Sequence, residues 1–198
     1  MRSEVGNDPS AKISQPKNAP SRYNCAPCGK AKRACMSEDL KNLSILIVDS
    51  DRSMRVLCRD MLNAMGIAQV YTVDDGSRAY AELRNRRFDI VITERYMETL
   101  DGIDLTRMIR TAADSPNPLV PILMTTAMPS MSDVTEARDA GVTEFLIKPF
   151  SANDFKKRIT ATVTNPREFV QVASYFGPDR RRATKDFYGE DMRGRKQK

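Results

Sequence analysis

Residues 43–51 read LSILIVDSD. An unbroken apolar run with β-branched side chains is the pattern of a strand covered on both faces, and here the acids Asp49 and Asp51 follow at its carboxyl end. The pattern then changes period. In RSMRVLCRDMLNAMG (52–66), Met54, Leu57, Cys58, Met61, Leu62 and Met65 recur at helical spacing, and Gly66 ends the helix. The same alternation continues along the chain. AQVYTV (68–73), FDIVIT (88–93), VPILMTT (120–126) and TEFLIK (143–148) read as strands. Between and after them, residues 75–87 form a helix with Ala79 and Leu83 inward, and residues 102–112 one with Ile103, Leu105, Met108 and Ile109 on one stripe. Residues 131–141 form a helix with a glycine stop, and 151–163 one with Ser151 as N-cap and Asp154 three residues later. Five strands alternating with five helices predict parallel βαβ units. Right-handed crossovers then give an α/β fold, a doubly wound five-stranded parallel sheet with helices on both faces.

Composition limits what surrounds this unit. The chain has 198 residues, 40% of them hydrophobic, enough for one core. No apolar run approaches the roughly 20 residues of a membrane span, and residues 1–18 (MRSEVGNDPSAKISQPKN) do not resemble a secretory signal. A cytoplasmic protein without membrane insertion is expected. There is no histidine, which excludes His-based triads, general bases and metal ligands. Residues 1–43 carry eight Lys/Arg against four Asp/Glu, residues 44–165 fifteen against seventeen, and residues 166–198 nine against five. A mildly acidic middle thus lies between two basic ends, which suit either an anionic partner or plain solvation. Residues 1–42 read as a disordered extension, with Met36 an alternative start; residues 43–164 as the domain; residues 165–198 as a disordered, basic, arginine-rich tail.

In an open parallel sheet, function collects at the carboxyl ends of the strands. Those ends carry Asp49, Ser50 and Asp51, then Glu94, then Thr126, then Lys148-Pro149. Acids, a hydroxyl and a lysine on one edge make a cation and phosphoryl site. Together with the Asp101-Gly102 pair, Thr125-Thr126-Ala127 and Lys148-Pro149-Phe150, this constellation resembles the CheY-like receiver domains of two-component response regulators. The resemblance covers residues 43 to about 164. It implies a flavodoxin-like fold of strand order 2-1-3-4-5, with an acidic pair holding Mg²⁺ and an Asp after strand three taking the phosphoryl group. It also implies a hydroxyl and a lysine that contact the phosphoryl oxygens. Carried over by motif, Asp49 is the first acid, Thr126 the switch hydroxyl and Lys148 the lysine. Phe145 stands where the family often has a rotating aromatic, on the helix four–strand five–helix five face through which such domains meet signalling partners.

Two positions depart from the family pattern. Ser50 replaces the second acid and Glu94 stands at the phosphoacceptor position; Glu98 also replaces a frequent proline. Loss of an acid removes formal charge from a Mg²⁺ site, and alternation does not ensure that Asp51 points inward. Glu94 pushes its carboxylate forward by roughly 1.3–1.5 Å, about a bond length. Misplacement of about 1 Å can cost a hundredfold in rate. Mg²⁺ binding is therefore expected to be weak or absent and phosphotransfer lost, with Glu94 a built-in negative charge beside Lys148. The alternative at this position is a neutral loss of activity with no fixed active-like state.

The tail holds a weak repeat of period twelve, Tyr175-Phe-Gly-Pro-Asp-Arg-Arg181 echoed by Phe187-Tyr-Gly-Glu-Asp-Met-Arg193. Aromatic, glycine, acid and arginine suit a purine nucleotide through stacking, close backbone approach and bidentate contact. YFGPDRRR resembles the arginine-rich extension of the Cle group of CheY-like proteins. That likeness implies cyclic di-GMP binding and a role in motility and surface attachment, with candidates Tyr175, Gly177, Asp179, Arg180, Arg181, Arg182, Tyr188, Asp191 and Arg193. Cys25-Ala-Pro-Cys28 with Cys35 is a thin zinc motif with three ligands, read as incidental; Cys58 reads as a small buried residue. The expected function is a non-enzymatic, phosphorylation-independent interaction module. Its rivals are a conventional phosphorelay receiver, using a displaced acid such as Asp51, and a nucleic-acid binder acting through both basic ends, although no helix-turn-helix follows the domain.

Overall fold

A computed structural model of the protein describes residues 12–13, 40–127, 130–172 and 175–179. Five strands, β2 (Ser44–Val48), β3 (Gln69–Val73), β4 (Ile90–Glu94), β5 (Ile122–Thr126) and β6 (Glu144–Ile147), form one parallel sheet of order β3-β2-β4-β5-β6. This is the expected 2-1-3-4-5 arrangement. The four crossovers carry helices α1 (Arg52–Ala64), α2 (Gly76–Asn85), α3 (Gly102–Thr111) and α4 (Met131–Ala140), and α5 (Ala152–Thr164) follows β6.

Each helix begins where a short polar side chain satisfies free amides. Asp51, Asp75 and Asp101 accept from backbone N–H groups at the first turns of α1, α2 and α3. Ser130 and Asp133 form a reciprocal capping box on α4, and Ser151 caps α5 as expected. Gly141 ends α4 in the left-handed conformation, at φ 98°.

The sheet is buried on both sides. Ile45, Ile47, Ile90 and Ile92 pack with Cys58 and Leu62 of α1 and with Phe155 and Ile159 of α5. On the opposite face, Leu46, Val48 and Val91 meet Ala79 and Leu83 of α2 and Leu105 and Ile109 of α3. Burial pushes the Cys58 thiol up to about 11, aided by the nearby Asp49 carboxylate. Two members of the expected stripes lie elsewhere. Leu57 is 44% exposed beside Val56, and Met108 is 36% exposed, because each sits at the rim of its apolar arc, beyond the sheet's reach.

The extensions depart further from expectation. Residues 169–172 and 175–178 pair as an antiparallel hairpin, β7 and β8, and Lys12–Ile13 (β1) pair with Phe169 and Val170 to give a small sheet of order β1-β7-β8. The tail has too few aliphatics for a core of its own, but it borrows one. Phe169 and Tyr175 are buried, and the Phe169 ring lies 5.0 Å from the Arg110 guanidinium at the end of α3. These strands lie within residues 1–42 and 165–198, which the sequence reading places in the two extensions. No helix among the described residues is long and apolar enough to cross a membrane.

Candidate functional site

Because β2, β4, β5 and β6 are adjacent and parallel, their carboxyl ends bring Asp49, Glu94, Thr126 and Lys148 to one edge. Asp49 follows β2 and is 4% exposed. Its Oδ1 accepts from the Asp51 amide at 2.9 Å, and its Oδ2 accepts from Lys148 Nζ at 2.8 Å. Glu94 ends β4. Its Oε1 accepts from the same ammonium at 2.9 Å, and its Oε2 accepts from the Ser50 hydroxyl at 3.3 Å. One lysine thus bridges two carboxylates, and all four of their oxygens meet donors of the chain itself.

Electrostatics follow from that crowding. Burial raises the Glu94 carboxyl above its ordinary value; the Lys148 hydrogen bond opposes this and the Asp49 carboxylate adds to it. Burial opposes the charge on Lys148, but hydrogen bonds and charge from Asp49 and Glu94 outweigh it and hold the ammonium above the ordinary lysine value. Thr126 is 1% exposed, and its Oγ1 has no hydrogen-bond partner among the described residues. A buried hydroxyl without a partner is costly.

Asp51 does not join the pocket. Its carboxylate caps α1, accepting from the Ser53 amide at 2.7 Å. Phe145 is half-buried and packs on Ile103, Met124, Ala137, Ala140 and Val142, an ordinary packed aromatic in this arrangement. Mg²⁺, which the fold family implies, fits these residues poorly. It needs several oxygens at about 2.0–2.1 Å, whereas both available carboxylates already bridge an ammonium, and Ser50 offers no charge. Among the described residues no group of three or more His, Cys, Asp or Glu comes together as a metal site.

The nucleotide candidates fare differently. Tyr175 is buried, with its hydroxyl donating to the Pro178 carbonyl at 2.7 Å. Gly177 is buried too, and a Cβ built there would lie 2.9 Å from Gly141 Cα. Neither presents a stacking platform or an open backbone, because the receiver takes both for its own packing. The Asp179 amide donates to the Glu168 carbonyl at 2.7 Å. Arg180, Arg181, Arg182, Tyr188, Asp191 and Arg193 lie outside the described residues, as do Cys25, Cys28 and Cys35.

Two contributors escaped the sequence reading. Arg55 reaches back from α1 to donate to the carbonyls of Asp49 at 2.6 Å and Ser50 at 3.0 Å, which fixes the loop under the acids. Arg95, next to Glu94, is buried and bonds Asp101 at 2.6 Å and Glu136 at 3.1 Å. An arginine straight after a buried strand was the available signal for the second; the first has none, since a helical arginine is ordinarily a solvated one.

The response regulator receiver domain model matches residues 45–160. The chain is 37% identical over 119 residues to chemotaxis protein CheY-3 of Vibrio cholerae serotype O1, covering 60% of this chain and 90% of the relative. Against chemotaxis protein CheY of Pseudomonas aeruginosa the identity is 36% over 117 residues, covering 59% and 93%. Among solved structures, Vibrio cholerae CheY4 superposes with a TM-score of 0.55 at 29% identity, over 59% of this chain and 95% of that one. The receiver domain of sensor histidine kinase PA1611 from Pseudomonas aeruginosa, described with a magnesium ion coordinated in its active-site cleft, gives a TM-score of 0.54 at 28% identity, over 62% and 97%. Strand order, the edge that gathers Asp49, Thr126 and Lys148, and a family match across more than half of its length agree: the chain belongs to the response regulator receiver domain family.

Proposed function

We propose that this receiver signals by binding in a fixed state rather than by accepting a phosphoryl group. The carrying observation is the double contact of Lys148, 2.8 Å from Asp49 and 2.9 Å from Glu94. The glutamate carboxylate reaches the lysine that a phosphoryl oxygen would engage, so the pocket has an internal anion in place of an acquired one. Ser50 supports the reading by donating to Glu94 instead of supplying a second charge. Asp51 supports it by capping α1, which removes the displaced acid on which a conventional phosphorelay would depend. Output falls to the α4–β6–α5 face, where Met131 is 84% and Ile147 52% exposed. The test is incubation of the full chain with acetyl phosphate, or beryllofluoride, and Mg²⁺. No mass increase on the Glu94 peptide and no change in the amide NMR spectrum are expected; an acyl phosphate, or a spectral shift centred on Thr126 and Lys148, overturns the reading.

The cyclic di-GMP reading of the tail is narrower than the full repeat. It rests on Arg180–Arg182, which follow directly after a hairpin anchored at Asp179, with charge-assisted contacts to phosphate as the binding chemistry. Isothermal titration with cyclic di-GMP should give heat with the wild type and little with Arg180→Ala plus Arg181→Ala. Absence of heat from the wild type removes the nucleotide from the proposal and leaves the receiver reading intact.

A further inference from the structure

The helix α4 has little apolar material with which to hold its place. Its buried residues are Ala137 and Ala140, while Met131 is 84% and Val134 39% exposed. Two methyl groups provide small burial, so the position of α4 depends on its ends.

The first turn is held from the β4–α3 loop and from α3. Arg95 Nη2 donates to Glu136 at 3.1 Å and lies 3.9 Å from Asp133, and its guanidinium stacks on the Tyr96 ring at 4.6 Å. The Tyr96 hydroxyl donates to Asp133 at 2.8 Å, and Arg107 meets Glu136 at 2.9 Å.

The last turn is held from α3 and the C-terminal hairpin. Arg110 Nε donates to the Gly141 carbonyl at 3.1 Å and Nη1 to that of Pro118 at 2.7 Å. Phe169 covers the guanidinium, and Gly177 packs directly on Gly141. Arg110 is 3% exposed, and among the described residues no carboxylate pairs with it and its Nη2 has no acceptor. Burial accordingly pulls its pKa down. Docking the hairpin withdraws this cation from water and lays an aromatic face over it, while its two carbonyl acceptors, Gly141 and Pro118, belong to the receiver itself. The docked state therefore carries a desolvation cost that lifting the hairpin relieves, while the receiver core stays intact.

We propose that the C-terminal hairpin is an intramolecular handle on α4. Docked, it closes Arg110 onto Gly141 and fixes the last turn. Lifted, it frees that end, while Arg95 and Tyr96 retain the first. The extension thereby sets the freedom of a helix on the receiver's output face, independently of what happens at Glu94.

Hydrogen exchange of the full chain tests this, followed by NMR amide by amide. In Gly177→Ala, the new methyl would lie 2.5 Å from the Tyr175 hydroxyl and 2.9 Å from Gly141 Cα, which wedges the hairpin away. In Phe169→Leu, the ring over Arg110 is removed and apolar bulk is kept. Gly177→Ala should speed exchange around residues 138–142 by about tenfold or more, and Phe169→Leu by less, with the amides of α1 and α2 changed by less than about twofold. Arg95→Gln should give the mirror image, loosening the first turn. Three outcomes overturn the proposal: hairpin amides exposed with α4 unchanged, exchange raised equally in α1, α2 and α4, or hairpin protection unaltered by both substitutions.

Discussion

At Lys148 a single ammonium holds two carboxylates, and its side chain is 13% exposed against 5% for Asp49 and 18% for Glu94. Removing one partner from such a group leaves uncompensated charge, a change that costs about 3–5 kcal/mol where buried pairs are broken. Lys148→Met should accordingly destabilise the protein by that order, read from urea denaturation. Its pH dependence has a defined sign. Glu94 already has a raised pKa in the folded state. The folded protein therefore binds this proton more tightly than the unfolded chain does. Stability from it is complete below the ordinary glutamate value and declines as pH rises through the folded one. Without the ammonium, Glu94 rises further, so the denaturation midpoint of Lys148→Met should fall more steeply than that of the wild type as pH rises above the ordinary glutamate range. A variant whose midpoint is flat over that rise contradicts the two-carboxylate account.

At the scale of elements, the seat of α3 shows how closely the site and the fold are joined. A Cβ on Gly102 would run into the Glu94 carbonyl and lie 3.1 Å from Thr93 Oγ1. The Gly102 amide also donates to the Arg95 carbonyl at 3.1 Å, so the start of α3 rests against the strand end that bears Glu94. Gly102→Ala should force α3 away from β4 and lower stability by about 1–3 kcal/mol, the usual cost of overpacking, with a matching fall in the thermal midpoint. Elements of this kind were legible in advance where their signal was local. Strands β2 and β4 announced themselves by continuous apolar runs, α4 by Gly141 and α5 by Ser151. Leu57 and Met108 were misread because periodicity defines an apolar arc without saying how far the sheet reaches across it. The hairpin β7–β8 was missed because Phe169 finds its cover on Arg110 and Gly177 packs on Gly141, far away in sequence.

For the molecule as a whole, the amino-acid sequence alone determined the parallel sheet, its helices, and the identity of the side chains at the strand ends. Those features arise from short-range periodicity and from rules of handedness that hold for any βαβ chain. It determined as well that position 94 carries a glutamate and position 50 a serine. What only the tertiary structure decided was which groups these acids engage. Asp49 and Glu94 converge on Lys148 across four strand ends, Asp51 turns aside to cap α1, and Tyr175 is buried where a nucleotide platform was expected. Hydrogen bonds and buried charges depend on distances between residues tens of positions apart, and those distances exist only once the core has packed.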